Sequence, residues 1–224
     1  MQTSSFFRGK FVYYLTCVLV YLCINSAMAA THPRVELTTS AGVIVLELYP
    51  EAAPKTVKNF LQYVKSGHYS GTIFHRVIPN FMIQGGGMTK NMQEKPVLAP
   101  IPLEAAMALE HGLKNDAGTV AMARTQDPDS ATAQFFINVA NNTFLNHQRI
   151  PEGDPVQFTQ GDRVVTAARS DALLATAGYT TFGKVIQGMD VVNQIKDVET
   201  HNMGMNQDVP VHDITILSAV ILKN

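Results

Sequence analysis

Residues 74–87 read FHRVIPNFMIQGGG and set a single arginine among large apolar side chains. Phe74, Arg76 and Ile78 share a parity, so a regular strand puts a guanidinium on one face with two bulky hydrocarbons. A guanidinium is not deprotonated in proteins, and burying it unpaired is costly. Either Arg76 reaches solvent, or its face lines a pocket that works with a fixed cation. Further along stand Phe81, Met82, Gln84, Met122, Gln134, Phe136, Phe144 and Leu145, large apolar residues beside a few polar ones. Taken one at a time, each apolar member reads as core. His75 has the opposite parity to Arg76 and reads as a wall histidine rather than an acid or base.

Other chemistries lack their residues. No histidine pair has helix or hairpin spacing together with a third ligand, so no metal site is expected. Gly85-Gly86-Gly87 is followed by neither a Lys-Ser pair nor a helix start, and reads as a flexible turn rather than a phosphate cradle. There is no G-x-S-x-G elbow.

The first thirty residues look like an export signal. Arg8 and Lys10 precede the apolar run FVYYLTCVLVYLCI, and Ala27-Met28-Ala29 has the small-x-small form of a cleavage site. Cleavage after Ala29 would leave one domain over residues 30–224, exported and, for a Gram-negative cell, periplasmic. Both cysteines, Cys17 and Cys23, fall in the signal, so a mature chain has no disulfide and no cysteine nucleophile. Losing Arg8 and Lys10 leaves 15 basic against 18 acidic groups, which speaks against nucleic acid as a partner. No later stretch is suited to a membrane, and nothing suggests more than a monomer.

The elements that must hold these residues are mostly strands. RVELTTSAGVIVLELYP (34–50) alternates on both sides of Ala41-Gly42, a hairpin pattern. EAAPKTVKNFLQYVKSG (51–67) predicts a helix, with Pro54 in its first turn, Val57, Phe60, Leu61 and Val64 on one face, and Gly67 as its stop. Strands are expected over 71–78, 81–84, 118–124, 133–140, 179–188 and 213–223, with a second helix over 189–198 and a short one near 103–111. Many short, evenly spaced strands with two helices predict a mainly β fold, a closed antiparallel β-barrel plugged by helices.

FHRVIPNFMIQGGG, GTVAMART, SATAQFFINVANNTFLN and FGKVIQGMDVV, in that order, resemble the cyclophilin family of peptidyl-prolyl isomerases. The likeness runs from about Arg34 to Leu222 and is strongest to the periplasmic type of Gram-negative bacteria. It implies an eight-stranded antiparallel barrel capped by two α-helices and an isomerase of Xaa-Pro bonds that uses no cofactor. Arg76 would be catalytic. Phe81, Met82, Phe136 and Leu145 would line the proline pocket, with Met122 and Phe144 beside them. Gln84 would bond the substrate backbone and help orient Arg76, Gln134 would face the groove, and the Arg124 backbone would pair with the peptide. Phe144 and Tyr179 stand where animal relatives carry tryptophan and histidine, so cyclosporin binding is expected to be weak. Implied partners are unfolded exported proteins and proline-containing peptides. The alternative reading is a proline-peptide binding chaperone.

The 33 residues between Leu145 and Tyr179 exceed what relatives use there. In this insertion (146–178) the first half reads as turns. The second half reads as a helix capped by Asp162 and ended by Gly178, with Val165, Ala168 and Ala172 on one side.

Overall fold

The computed structural model describes residues 32–223, so the expected export signal and its Ala29 boundary lie outside the described residues. Alternation builds β1 (Arg34–Thr39) and β2 (Gly42–Leu48), whose Val35, Leu37, Ile44, Leu46 and Leu48 are all buried. Next come α1 (Pro54–Lys65), β3 (Thr72–Ile78), β4 (Met82–Thr89), α2 (Ala105–Glu110), β5 (Thr119–Met122) and β6 (Phe135–Asn138). A single 3-10 turn at Thr143–Leu145 leads to β7 (Val156–Gln160), β8 (Arg163–Ala167) and α3 (Arg169–Thr176). Finally come β9 (Thr181–Gln187), α4 (Met189–Lys196), β10 (Thr200–Met203), β11 (Asn206–Pro210) and β12 (Thr215–Ile221).

Eight strands close an antiparallel barrel in the order β1-β12-β3-β4-β6-β5-β9-β2, which leaves the barrel without an open edge. Its core is aromatic: Phe60 of α1 packs on Tyr69, Phe135 and Phe182, with ring centroids 5.1–5.6 Å apart. Val191, Val192 and Ile195 carry α4 into the same core. These are the two expected capping helices, α2 is the short helix expected near 103–111, and α3 is a short addition.

Three local expectations change. Gly85-Gly86-Gly87 is not a flexible turn, because β4 runs through it to Thr89. A Cβ on Gly86, whose φ is +85°, would meet the rings of Phe135 and Tyr69 at 2.8 Å, and one on Gly87 would collide with the Gln134 side chain. Close packing, not mobility, accounts for glycine there.

The insertion departs further from its expected form. Asp162 caps no helix, since Gly161-Asp162 is the two-residue turn of a hairpin in which Gln160 pairs with Arg163. Gly161 supplies the positive φ of 60°, and the branched run Val164-Val165-Thr166 favours a strand over a helix. Only Arg169–Thr176 is helical, and Ala172 packs with Val156 and Phe158 in a small separate core. Lastly, β10 and β11 form a hairpin that the sequence pattern did not reveal, beyond the barrel sheet.

Candidate active site

A bulge answers the question that Arg76 poses. Phe74 pairs with Gly85 and Arg76 with Gln84, so His75 and Arg76 together oppose one residue of β4. The extra residue flips parity. Phe74 and Val77 point into the barrel core, whereas Arg76 and Ile78 face outward. The expectation that Phe74 and Arg76 share a face is therefore corrected. The arginine is not buried, its side chain being 43% exposed at the rim of an apolar hollow on the barrel's outer wall.

That hollow follows from strand register. Arg76 pairs with Gln84, Gln84 with Phe136, and Phe136 with Ala121, a single row across β3, β4, β6 and β5. Met82, Ala121, Phe136 and Leu145 form a second apolar cluster, joined by Ile78, Phe81, Ala123 and Tyr179. Between them lies a cavity of about 190 Å³ lined by Arg76, Phe81, Met82, Gln84, Ala123, Arg124, Phe136, Leu145 and Tyr179. An apolar cavity of about 150 Å³ holds a benzene, so one five-membered ring fits here.

Eight of the residues singled out from sequence thus meet at one cavity. Met122 is not among its walls. Two positions from Val120 on β5, it shares that residue's inward face and lies in the barrel core. Gln134 also stands off the cavity and accepts a hydrogen bond from Gln84 Nε2 at 2.9 Å. Among the described residues, Gln84 makes no hydrogen bond to Arg76, its strand partner. The group facing the guanidinium is Asp208, whose carboxylate lies 3.7 Å from Arg76 Nε. Phe144 is 61% exposed and stacks on Phe81, with centroids 5.7 Å apart.

Buried asparagines brace the far wall. Asn142 Nδ2 donates to the Phe81 carbonyl at 2.8 Å and to Asn138 Oδ1 at 2.7 Å. Asn115 Nδ2 donates to the Leu145 carbonyl at 3.2 Å, while Tyr179 N–H bonds the same oxygen at 2.9 Å. Asn115, Asn142, Ala123 and Asp208 were not singled out from sequence. Asn115, Asn142 and Asp208 act through chain segments distant in sequence, whereas Ala123 lines the cavity itself, beside Arg124.

The two cations at the cavity differ. Arg124 spends Nε on the Gly178 carbonyl at 3.0 Å and Nη1 on the Thr125 carbonyl at 2.8 Å, and its guanidinium lies 4.4 Å from the Tyr179 ring centre. Among the described residues, Arg76 has no polar partner except Asp208. His75, buried behind it, has no hydrogen bond at Nδ1. Burial pulls its pKa down to about 4, opposed chiefly by the Ile73 backbone and aided to a smaller extent by the Arg76 charge, so the ring is neutral at pH 7.

Residues 34–221 match the family described as cyclophilin type peptidyl-prolyl cis-trans isomerase/CLD. The peptidyl-prolyl cis-trans isomerase cyp18 of Streptomyces antibioticus is 55% identical over 189 residues, covering 84% of this chain and 98% of that protein. Peptidyl-prolyl cis-trans isomerase A of Dickeya dadantii is 46% identical over 207 residues, covering 92% and 94%. Among solved structures, a cyclophilin type isomerase of Cryptosporidium parvum superposes with a TM-score of 0.61 at 25% identity, covering 86% of this chain and 99% of its own. A second crystal structure of that protein, in the presence of the dipeptide Ala-Pro, gives 0.60 at 26% identity, covering 85% and 99%. The chain belongs to the cyclophilin-type peptidyl-prolyl cis-trans isomerases. It is an isomerase of a family that binds proline-containing peptides.

Proposed function

We propose that this isomerase acts on Xaa-Pro bonds of exported proteins, holding the proline ring in the 190 Å³ cavity with Arg76 as the catalytic residue. The observation that carries the reading is the pairing of a ring-sized cavity, walled by Met82, Phe136 and Leu145, with a rim guanidinium that meets only Asp208 among the described residues. The N-terminal pattern of Arg8, Lys10, the apolar run and Ala27-Met28-Ala29 supports export to a periplasm.

Rotation about an Xaa-Pro bond breaks amide conjugation against a barrier of roughly 18–20 kcal/mol. No heavier atom changes partners, so no nucleophile is called for. As the amide twists, the prolyl nitrogen recovers its lone pair and becomes a hydrogen-bond acceptor. A fixed guanidinium aimed there interacts more strongly with the twisted state than with either planar one, which is differential transition-state stabilisation. The cavity walls Met82, Phe136 and Leu145 hold the ring while the other half of the amide turns. In this reading Gln84 and the Arg124 backbone bond the peptide main chain.

The test is exchange of an Ala-Pro peptide by two-dimensional NMR, with the parent and Arg76→Ala compared side by side. Loss of one such donor should lower kcat/KM by about 10²–10³-fold with the peptide still bound. Equal exchange rates in parent and variant would remove Arg76 from the mechanism. Binding by the parent without acceleration would favour the chaperone reading.

A further inference from the structure

The insertion does more than lengthen a surface loop. Its two ends are tied together, Gln148 N–H bonding the Thr176 carbonyl at 3.0 Å and His147 Nδ1 lying 3.2 Å from the Ala177 carbonyl. Helix α3 turns Ala172 and Thr176 inward onto its own hairpin. Asp171, Leu174 and Ala175, at helical spacing i, i+3 and i+4, form a different face. That face stands opposite Thr125 and Gln126, and between them runs an open groove of about 630 Å³. The groove shares Arg124 and Tyr179 with the candidate proline cavity, so the two adjoin.

The groove is polarised along its length. At the proline end lies Arg124, two of whose three guanidinium nitrogens already donate to carbonyls. The α3 end carries Asp171, which makes no ion pair among the described residues. Leu174, on the same wall, is 53% exposed, whereas Ala172 two residues earlier is fully buried. A lysine or arginine side chain matches this layout, with its methylene stem on Leu174 and its cation at the Asp171 carboxylate. An acidic side chain would instead meet the one carboxylate of the groove.

We propose that this groove is a second substrate subsite, supplied by the insertion, which takes a lysine or arginine flanking the substrate proline. The inference rests on the proline cavity being the isomerase site. Peptides differing only in one residue beside proline (Lys, Ala or Glu, on either flank) would be compared by exchange NMR at low ionic strength. The proteins would be the parent, Asp171→Glu, Asp171→Asn and Asp171→Lys. The parent and Asp171→Glu should turn over the Lys peptide about threefold faster than the Glu peptide, the scale of a solvent-exposed ion pair. That ratio should fall towards one in Asp171→Asn and invert in Asp171→Lys, with the Ala peptide unchanged throughout. An unaltered Lys-to-Glu ratio across all four proteins, with Ala turnover intact, overturns the subsite. No acceleration of the Ala peptide by the parent would overturn the proline-cavity reading itself, and the subsite with it.

Discussion

Arg76 Nε faces the Asp208 carboxylate across 3.7 Å, and the two belong to chain segments more than 130 residues apart. Asp208 sits on β11 with a left-handed φ of 58°, a conformation that asparagine also adopts readily. An acid on the Nε edge leaves the two terminal nitrogens free to point at a bound amide. Asp208→Asn keeps the backbone preference and removes the charge. It should lower kcat up to about fivefold, the range for a half-exposed pair, with KM unchanged. Repeating the assay in 1 M salt should erase most of the difference, because the screening length there is only about 3 Å. In an Arg76→Ala background the substitution should have no effect.

Glu104 caps a helix that is remote in sequence. Helix α1 starts at Pro54 with no side-chain cap from Ala53. The buried Glu104 carboxylate instead accepts bonds from Lys55 N–H at 3.0 Å, Thr56 N–H at 2.8 Å and Thr56 Oγ1 at 2.8 Å. Hydrogen bonds to charged groups contribute about 1.5–3 kcal/mol each, and a buried donor left unpaired carries a further cost. Glu104→Ala should destabilise the fold by about 3 kcal/mol and Glu104→Gln by less, read from urea denaturation midpoints.

His75 makes stability depend on pH. Its folded pKa of about 4 lies below the unfolded value of about 6.5, so below pH 6.5 the unfolded chain binds the extra proton. The contribution of the neutral ring is complete above pH 6.5 and is lost progressively as pH falls to about 4. The shift corresponds to about 3 kcal/mol. Burial lowers His68 as well, in the same direction. The stability difference between pH 7 and pH 4.5 should be larger in the parent than in His75→Gln, measured by chemical denaturation at each pH. Equal differences would show that the ring does not carry the effect.

The strands of the barrel were legible because a half-buried strand announces itself by alternation. Val35, Leu37, Ile44 and Leu46 are inside, as their spacing requires. The capping helices were legible for the same reason, with Val57, Phe60 and Val64 repeating at helical period. In the insertion the pattern misled, because a helix needs about three turns of consistent spacing before periodicity outweighs turn chemistry. Gly161-Asp162 was a hairpin turn between branched residues, not the start of a helix.

What the sequence alone determined is the inventory: the eight barrel strands, two capping helices, and a motif set that gathers Arg76, Phe81, Met82, Gln84, Phe136, Leu145 and Tyr179. The tertiary structure decided which way several of them point. One extra residue at His75-Arg76 turns the guanidinium from the core face to the outer face, and Met122 falls on the inner face of β5. Pairing with β4 sets the bulge, and β11 brings Asp208 to Arg76. Neither is local, because side-chain direction in a sheet depends on register with another strand, and a shift of one residue reverses it.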